Sequence, residues 1–371
     1  MKFDASELAT LQNEVYKIQG IKPFTDKYAF YYDETNNCRK FRLDAEKNDG
    51  VNNAESLTHD FILGGVCFDV ASTPQLNGII DKIKPKQCNT EFKSAKHFPK
   101  VANCSDFIQF LKCDSVVSLL DWLDENEKIY IHYICLNNLY MSLVDIVDSC
   151  EHSEYFNREL KVSLYNAVKT NQIEFLRILN QYNYPDIKND DVDNFSRELC
   201  DFISEVIDND YNFHLEYLRQ ILKSSGKRGE LVFIQNNNGL TLIDESEYIS
   251  LYVNRIVTFP AVAHYLDKIT TVENSFEKYE NIPQYKFVDS KDEPFIQMSD
   301  GIIKVLSNLF YFLDTPYVLD FKDGFDKEQI RSMKIIRSLL MRSDNKSKLF
   351  IQNLSPDFAE RFNILSEFCK Q

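Results

Sequence analysis

From residue 139 to residue 224 the chain has no glycine and a single proline, Pro185. Its apolar residues recur there with helical spacing. So long a stretch without turn residues predicts three or four helices rather than part of a sheet. The strand-like runs fall on either side of it, so the chain reads as a mixed α/β fold interrupted by a helical insertion at 139–225.

On the N-terminal side, residues 5–18 have the pattern of an amphipathic helix. Three strand-like runs follow: "YAFYYD" (28–33), "CRKFRL" (38–43) and "HDFILGGVCFD" (59–69). Three such runs with short connections predict an antiparallel meander. Ser72-Thr73-Pro74 before "QLNGIIDKIK" reads as a helix start. Residues 105–123 read as a helix and "KIYIHYICL" (128–136) as a buried strand. Beyond the insertion, "GELVFIQNNNG" (229–239) and "QYKFVDSK" (284–291) read as strands. Residues 247–267 read as a helix interrupted near Pro260, 294–314 as a helix with proline at its start, and 326–370 as a helical tail. The expected division is 1–138 and 226–314 as two parts of one domain, 139–225 as the insertion, and 315–371 as a helical C-terminal extension.

Composition excludes some classes. At 44% hydrophobic and 27% charged, the chain can bury a core. The formal net charge of −15 argues against nucleic-acid binding through the overall field, so phosphate contacts would need a local basic patch or metal ions. Nine scattered cysteines without C-x-x-C spacing, and a polar N-terminus without a secretory pattern, predict reduced thiols and a cytoplasmic location. No apolar run approaches the ~18 residues of a membrane span. There is no H-x-x-x-H, P-loop, G-x-S-x-G or G-x-G-x-x-G pattern.

Three acidic sites stand out. Asp33 and Glu34 end the first strand; the plain reading is a solvated strand end, with Asp33 opening an Asx turn. Glu91 and Lys93 lie in the most basic segment, among Lys82, Lys84, Lys86, Lys96, His97 and Lys100, which suits either a solvated face or phosphate binding. Asp300 shares a helix face with Gln297 and Lys304 yet borders the apolar stripe of Ile296, Ile303 and Leu306, where an unpaired carboxylate is costly. A distal basic run, Arg331, Lys334, Arg337, Arg342, Lys346 and Lys348, reads as a solvated helix face or the extension of a nucleic-acid groove.

Together these motifs resemble a bacterial family, that of domain of unknown function 3800. The matching residues are Asp33, Glu34 and Asn37 in "YYDETNN", Gly64 and Gly65 in the third run, and Glu91, Lys93 and Ser94. Asp289, Ser290 and Lys291 in "FVDSK", then Gln297 and Asp300 in "QMSD", complete the set. The resemblance covers about 28–100 and 284–312. It departs at Asn36, where the family has glycine, and at the central strand. The runs expected to supply that strand end in "LNN" (136–138) and "IQNNN" (234–238), with amides where the family tends to carry an aspartate.

The resemblance implies a ribonuclease-H-like mixed sheet with flanking helices. It also implies a metal-dependent phosphodiesterase acting on nucleic acid, of a prokaryotic defence or toxin type. Asp33, Glu91 and Asp300 would be catalytic, and these with Glu34 would bind Mg²⁺ or Mn²⁺, hard cations suited to carboxylates. Two ions about 3.5–4 Å apart would serve the reaction. Lys93, Lys96 and Lys291 would hold phosphates, and a protein partner would use the helical insertion. The alternative is a catalytically reduced module serving nucleic-acid binding or protein interaction.

Overall fold

The run Tyr28–Glu34 alternates its side chains between two apolar layers, and the rest of the sheet is built around it. In the computed structural model, which describes residues 2–35, 38–84, 91–150, 155–231, 233 and 239–370, the chain divides into two units. One comprises 1–38, 59–136 and 246–371; the other comprises 39–58 and 137–245.

The first unit holds a six-stranded mixed sheet. Its strands are β1 (Tyr28–Glu34), β2 (Phe61–Asp69), β3 (Tyr130–Leu136), β4 (Ala263–Asp267), β5 (Tyr285–Val288) and β6 (Ile351–Leu354). Their spatial order is β6-β3-β2-β1-β4-β5. β2 is antiparallel to both β1 and β3, while β1, β4 and β5 run parallel, as do β3 and β6. The α/β class, the mixed sheet and the antiparallel pairing of β1 with β2 are therefore as the sequence predicts, while the expected three-strand meander does not form.

Several element assignments need correction. Residues 38–43 give only Phe41–Arg42, which pairs with Thr241–Ile243 in the other unit, so β1 pairs directly with β2. Residues 247–267 are not one broken helix: α3 (Glu245–Thr258) stops before Phe259-Pro260, and β4 follows. The helix expected after Pro74 is confined to Ile79–Ile83, because Gly78 takes a left-handed φ of 71° just before it. The helix expected over 105–123 is two, Cys104–Phe110 and α2 (Asp114–Glu125). The tail is α5 (Lys327–Lys346) and α6 (Phe358–Phe368), with β6 between them joining the sheet edge. The run 229–239 lies largely outside the described residues.

One face of the sheet presents Ala29, Tyr31, Ile62, Val66, Phe68, Ile131 and Tyr133 to α4 (Pro294–Leu313), α2 and α5. Pro294 occupies the first turn of α4, where its missing N–H costs nothing. Residues Phe295, Ile296, Met298, Ile302, Ile303, Leu306 and Leu309 are all buried, each worth about 1.5–3 kcal/mol. The helix descends directly onto the sheet at Ser299, whose hydroxyl lies 3.1 Å from Tyr31 O and accepts from Val66 N at 3.2 Å. Gly65 makes this approach possible. A Cβ there would fall 2.1 Å from Ser299 Oγ and 2.5 Å from Tyr31 O. Gly65→Ala is therefore expected to cost about 3 kcal/mol in urea unfolding, because the backbone oxygen cannot yield as a flexible side chain would.

The opposite face carries Phe30, Tyr32, His132 and His264 under α3. Arg255 of α3 is fully buried there. It donates to Leu349 O and Phe350 O at 2.9 and 3.2 Å and stacks over Phe259.

The second unit is helical. Among its described residues are Asn138–Asp148, Asn157–Thr170, Gln172–Gln181, Val192–Asn209 and Phe213–Arg228, with no strand between 155 and 228. The number exceeds the three or four helices expected. Phe195, Phe202 and Phe175 are buried between them. No single described helix is long and apolar enough to cross a membrane.

Candidate active site

Alternation along β1 sends Asp33 to the face of Tyr31, beneath α4, and Glu34 to the other side. The strand end is held in place by Thr35. Its N–H donates to Ile62 O at 2.9 Å, and its hydroxyl accepts from Ile62 N at 3.0 Å. Asp33 is buried, with Oδ1 accepting from Glu34 N at 2.8 Å. Glu34 accepts a 3.1 Å hydrogen bond from Tyr252 Oη of α3.

Asp300 reaches the same place from the second turn of α4. Both its oxygens are engaged: Ser94 N donates at 2.7 Å and Ser94 Oγ at 2.5 Å. Ser94 opens the short helix α1 (Ser94–His97). Gln297, one turn before Asp300, clamps two loops at once. It accepts from Phe92 N at 2.8 Å and donates to Ser290 O at 2.6 Å.

The acid that sequence reasoning assigned to no residue is Asp267. It ends β4, the parallel neighbour of β1, with Leu266 opposite Tyr32 in register. Asn137 and Asn138 follow the end of β3, and 234–238 lie outside the described residues. The signal in the sequence is Phe259-Pro260 followed by alternating Val262, His264 and Leu266, a strand signature inside the stretch that reads as a helix.

Electrostatics ties these groups together. Burial, then the charge of Asp300, then Glu34 and Asp267, push Asp33 well above the ordinary carboxylate range. Burial raises Glu34 to about 7 against the opposing hydrogen bond from Tyr252. Burial also raises Asp300, although the Ser94 donors and Lys93 pull the other way. Such carboxylates are protonated or matched by a cation.

Lys93 supplies one cation. Its Nζ lies 3.3 Å from Asp267 Oδ2. Burial alone would lower its pKa, but Asp33, Asp267, Asp300 and Glu91 together raise it. Glu91 sits beside Lys93 and accepts from Ser290 Oγ at 2.7 Å.

Lys96 and Lys291 are exposed. Asp289 is exposed and caps its own turn, accepting from Lys291 N at 2.9 Å. Asn37 and Lys86 lie outside the described residues. The distal basic run is largely committed elsewhere. Arg331 pairs with Asp121, Lys346 with Asp26 and Lys348 with Asp344, while Arg342 donates to Leu123 O and Asn126 O.

The donor chemistry suits a hard divalent cation: like-charged carboxylate oxygens, buried at Asp33 and half-buried at Asp267 and Asp300, on two parallel strand ends and a rigid helix. Among the described residues no three His, Cys, Asp or Glu side chains converge into a metal-holding group; the cluster has Lys93 at its side. Comparisons with protein-family models, curated proteins and solved structures return no match to this chain.

Proposed function

We propose that the sheet unit is a ribonuclease-H-like nuclease domain, a divergent relative of the bacterial family it resembles, acting on nucleic acid with Mg²⁺ or Mn²⁺. One observation carries this reading: Asp33, Asp267 and Asp300 come from β1, its parallel neighbour β4 and α4, and lie near enough that the charges of Asp300 and Asp267 raise Asp33. Asp267 at the end of β4 supplies a strand-end acid where the sequence motifs offer only amides, which supports the catalytic reading over the reduced module. The sheet adds support, since it is mixed and flanked by helices, as the resemblance implies.

In this reading Asp33, Asp267 and Asp300 hold the metal, with Glu34 at the rim and Glu91 beside Lys93. When bound, divalent cations polarise a phosphate oxygen and activate water. The chain's own residues do the rest. Ser94 and Gln297 fix the angle between α4 and the loop carrying Glu91 and Lys93. Thr35 holds Asp33 at the strand end, and Tyr252 orients Glu34. Lys96 and Lys291 are exposed and available to phosphate.

The test is cleavage of single- and double-stranded DNA and RNA with Mg²⁺, with Mn²⁺ and with chelator. Wild type is expected to cut only with metal, and Asp300→Asn not at all. Lys346→Ala should cut within about twofold of wild type, because a remote exposed ion pair carries little energy. Equal cleavage by wild type and Asp300→Asn would point to a contaminant. No cleavage with any metal would return the domain to nucleic-acid binding or protein interaction.

A further inference from the structure

We infer that the Lys93 ammonium is the resident counter-ion of the acidic cluster, and that a divalent cation enters by displacing it. The displaced Lys93 then becomes available to a substrate phosphate. The inference rests on the metal-dependent reading above and adds how the site passes between its metal-free and metal-loaded forms.

Three observations carry it. Lys93 Nζ contacts Asp267 directly, at 3.3 Å, with the lysine side chain 29% exposed. The main chain on both sides of Lys93 is pinned to α4: Phe92 N donates to Gln297, and Ser94 donates twice to Asp300. Lys93 N itself donates to His97 Nδ1 at 3.0 Å. The backbone is therefore fixed while the flexible four-carbon stem can change direction.

Charge decides the exchange. One ammonium cannot balance the clustered carboxylates of Asp33, Asp267 and Asp300, whereas a divalent cation brings twice its charge to the same oxygens. Once that charge arrives, the ammonium is repelled. Lys93 is anchored beside the cluster, so the retreating ammonium stays at its mouth, where a phosphate would sit. A fixed ammonium also keeps the metal-free acids from repelling one another, so the site stays assembled before metal arrives.

The test uses the full chain and two readouts. Free Mn²⁺ is followed by electron paramagnetic resonance as it titrates wild type and Lys93→Met at neutral pH. Removing the competing ammonium is expected to tighten Mn²⁺ binding on the order of tenfold. In wild type alone, amidination of Lys93 by methyl acetimidate is read by peptide mass spectrometry. Saturating Mg²⁺ should speed it several-fold while leaving Lys346 unchanged. The second readout decides the matter if Lys93→Met does not fold. Metal binding that is unchanged or weakened in Lys93→Met, or labelling of Lys93 that slows with Mg²⁺, would overturn the displacement and leave the metal site standing. Absence of Mn²⁺ binding by wild type would overturn the metal-dependent reading and this inference with it.

Discussion

Asp267→Asn is expected to lower metal-dependent cleavage on the order of 10³-fold while leaving the fold intact. Asp267 ends a strand whose neighbours on both sides are parallel, so its backbone position is set by β1 and β5 and not by its side chain. The local hydrogen bond it makes, accepting from Lys268 N at 3.0 Å, survives in asparagine through the amide oxygen. What is lost is one unit of negative charge and the partner of Lys93. An amide oxygen binds a hard cation far more weakly than a carboxylate, and the remaining acids cannot move in to compensate. Asp300 is tied to Ser94, and Asp33 is fixed by the strand. The check is kcat/KM with Mn²⁺ beside a thermal unfolding curve. Near wild-type cleavage would remove Asp267 from the site, and a collapsed unfolding curve would show that its role is structural.

Arg361→Ala is expected to destabilise the sheet unit by about 3–5 kcal/mol, because it strands buried charge. Arg361 of α6 is 2% exposed and joins two acids that lie far apart in sequence. Its Nη1 is 2.6 Å from Asp60 Oδ2, just before β2, and its Nε and Nη2 reach both oxygens of Asp314 at the end of α4. Cys135 Sγ donates to the same Asp60 oxygen at 3.1 Å, and the guanidinium stacks 4.9 Å from the centre of the Phe310 ring. Removing the cation takes from both carboxylates the guanidinium that each contacts and opens a cavity beside Phe310. Asp60→Asn combined with Arg361→Met should recover part of the loss, since the uncompensated charge at Asp60 is then absent. Urea unfolding at neutral pH measures both. A loss below about 1 kcal/mol for Arg361→Ala would mean that water reaches the cluster.

The parts of this molecule legible in its sequence are those whose signals are local. β1, β2 and α4 announced themselves through dense apolar runs, and Asp300 through its unfavourable place beside an apolar stripe. Asp33 was legible as an acid at a strand end. Asp267 was not, because β4 is five residues long and follows a helix without a polar loop. Its alternation is short enough to pass for helical periodicity. Phe41–Arg42 misled in the opposite sense. Its residues suit a strand, but its partner lies about 200 positions away at Thr241–Ile243, so only tertiary structure assigns it. β6, with Gln352 and Asn353 at its centre, is an edge strand whose pairing with β3 depends on α5 turning the chain back. The roles of Gln297 and Ser94 were visible as motif positions, yet their physical function as clamps required the geometry.

The central claim, that Asp33, Asp267 and Asp300 form a divalent-metal site, is tested most directly by anomalous diffraction from a crystal soaked in Mn²⁺. The account predicts at least one anomalous peak bounded by these three carboxylates, with the Lys93 ammonium withdrawn from Asp267. Absence of any peak there, with Lys93 still paired to Asp267 at saturating Mn²⁺, would contradict it.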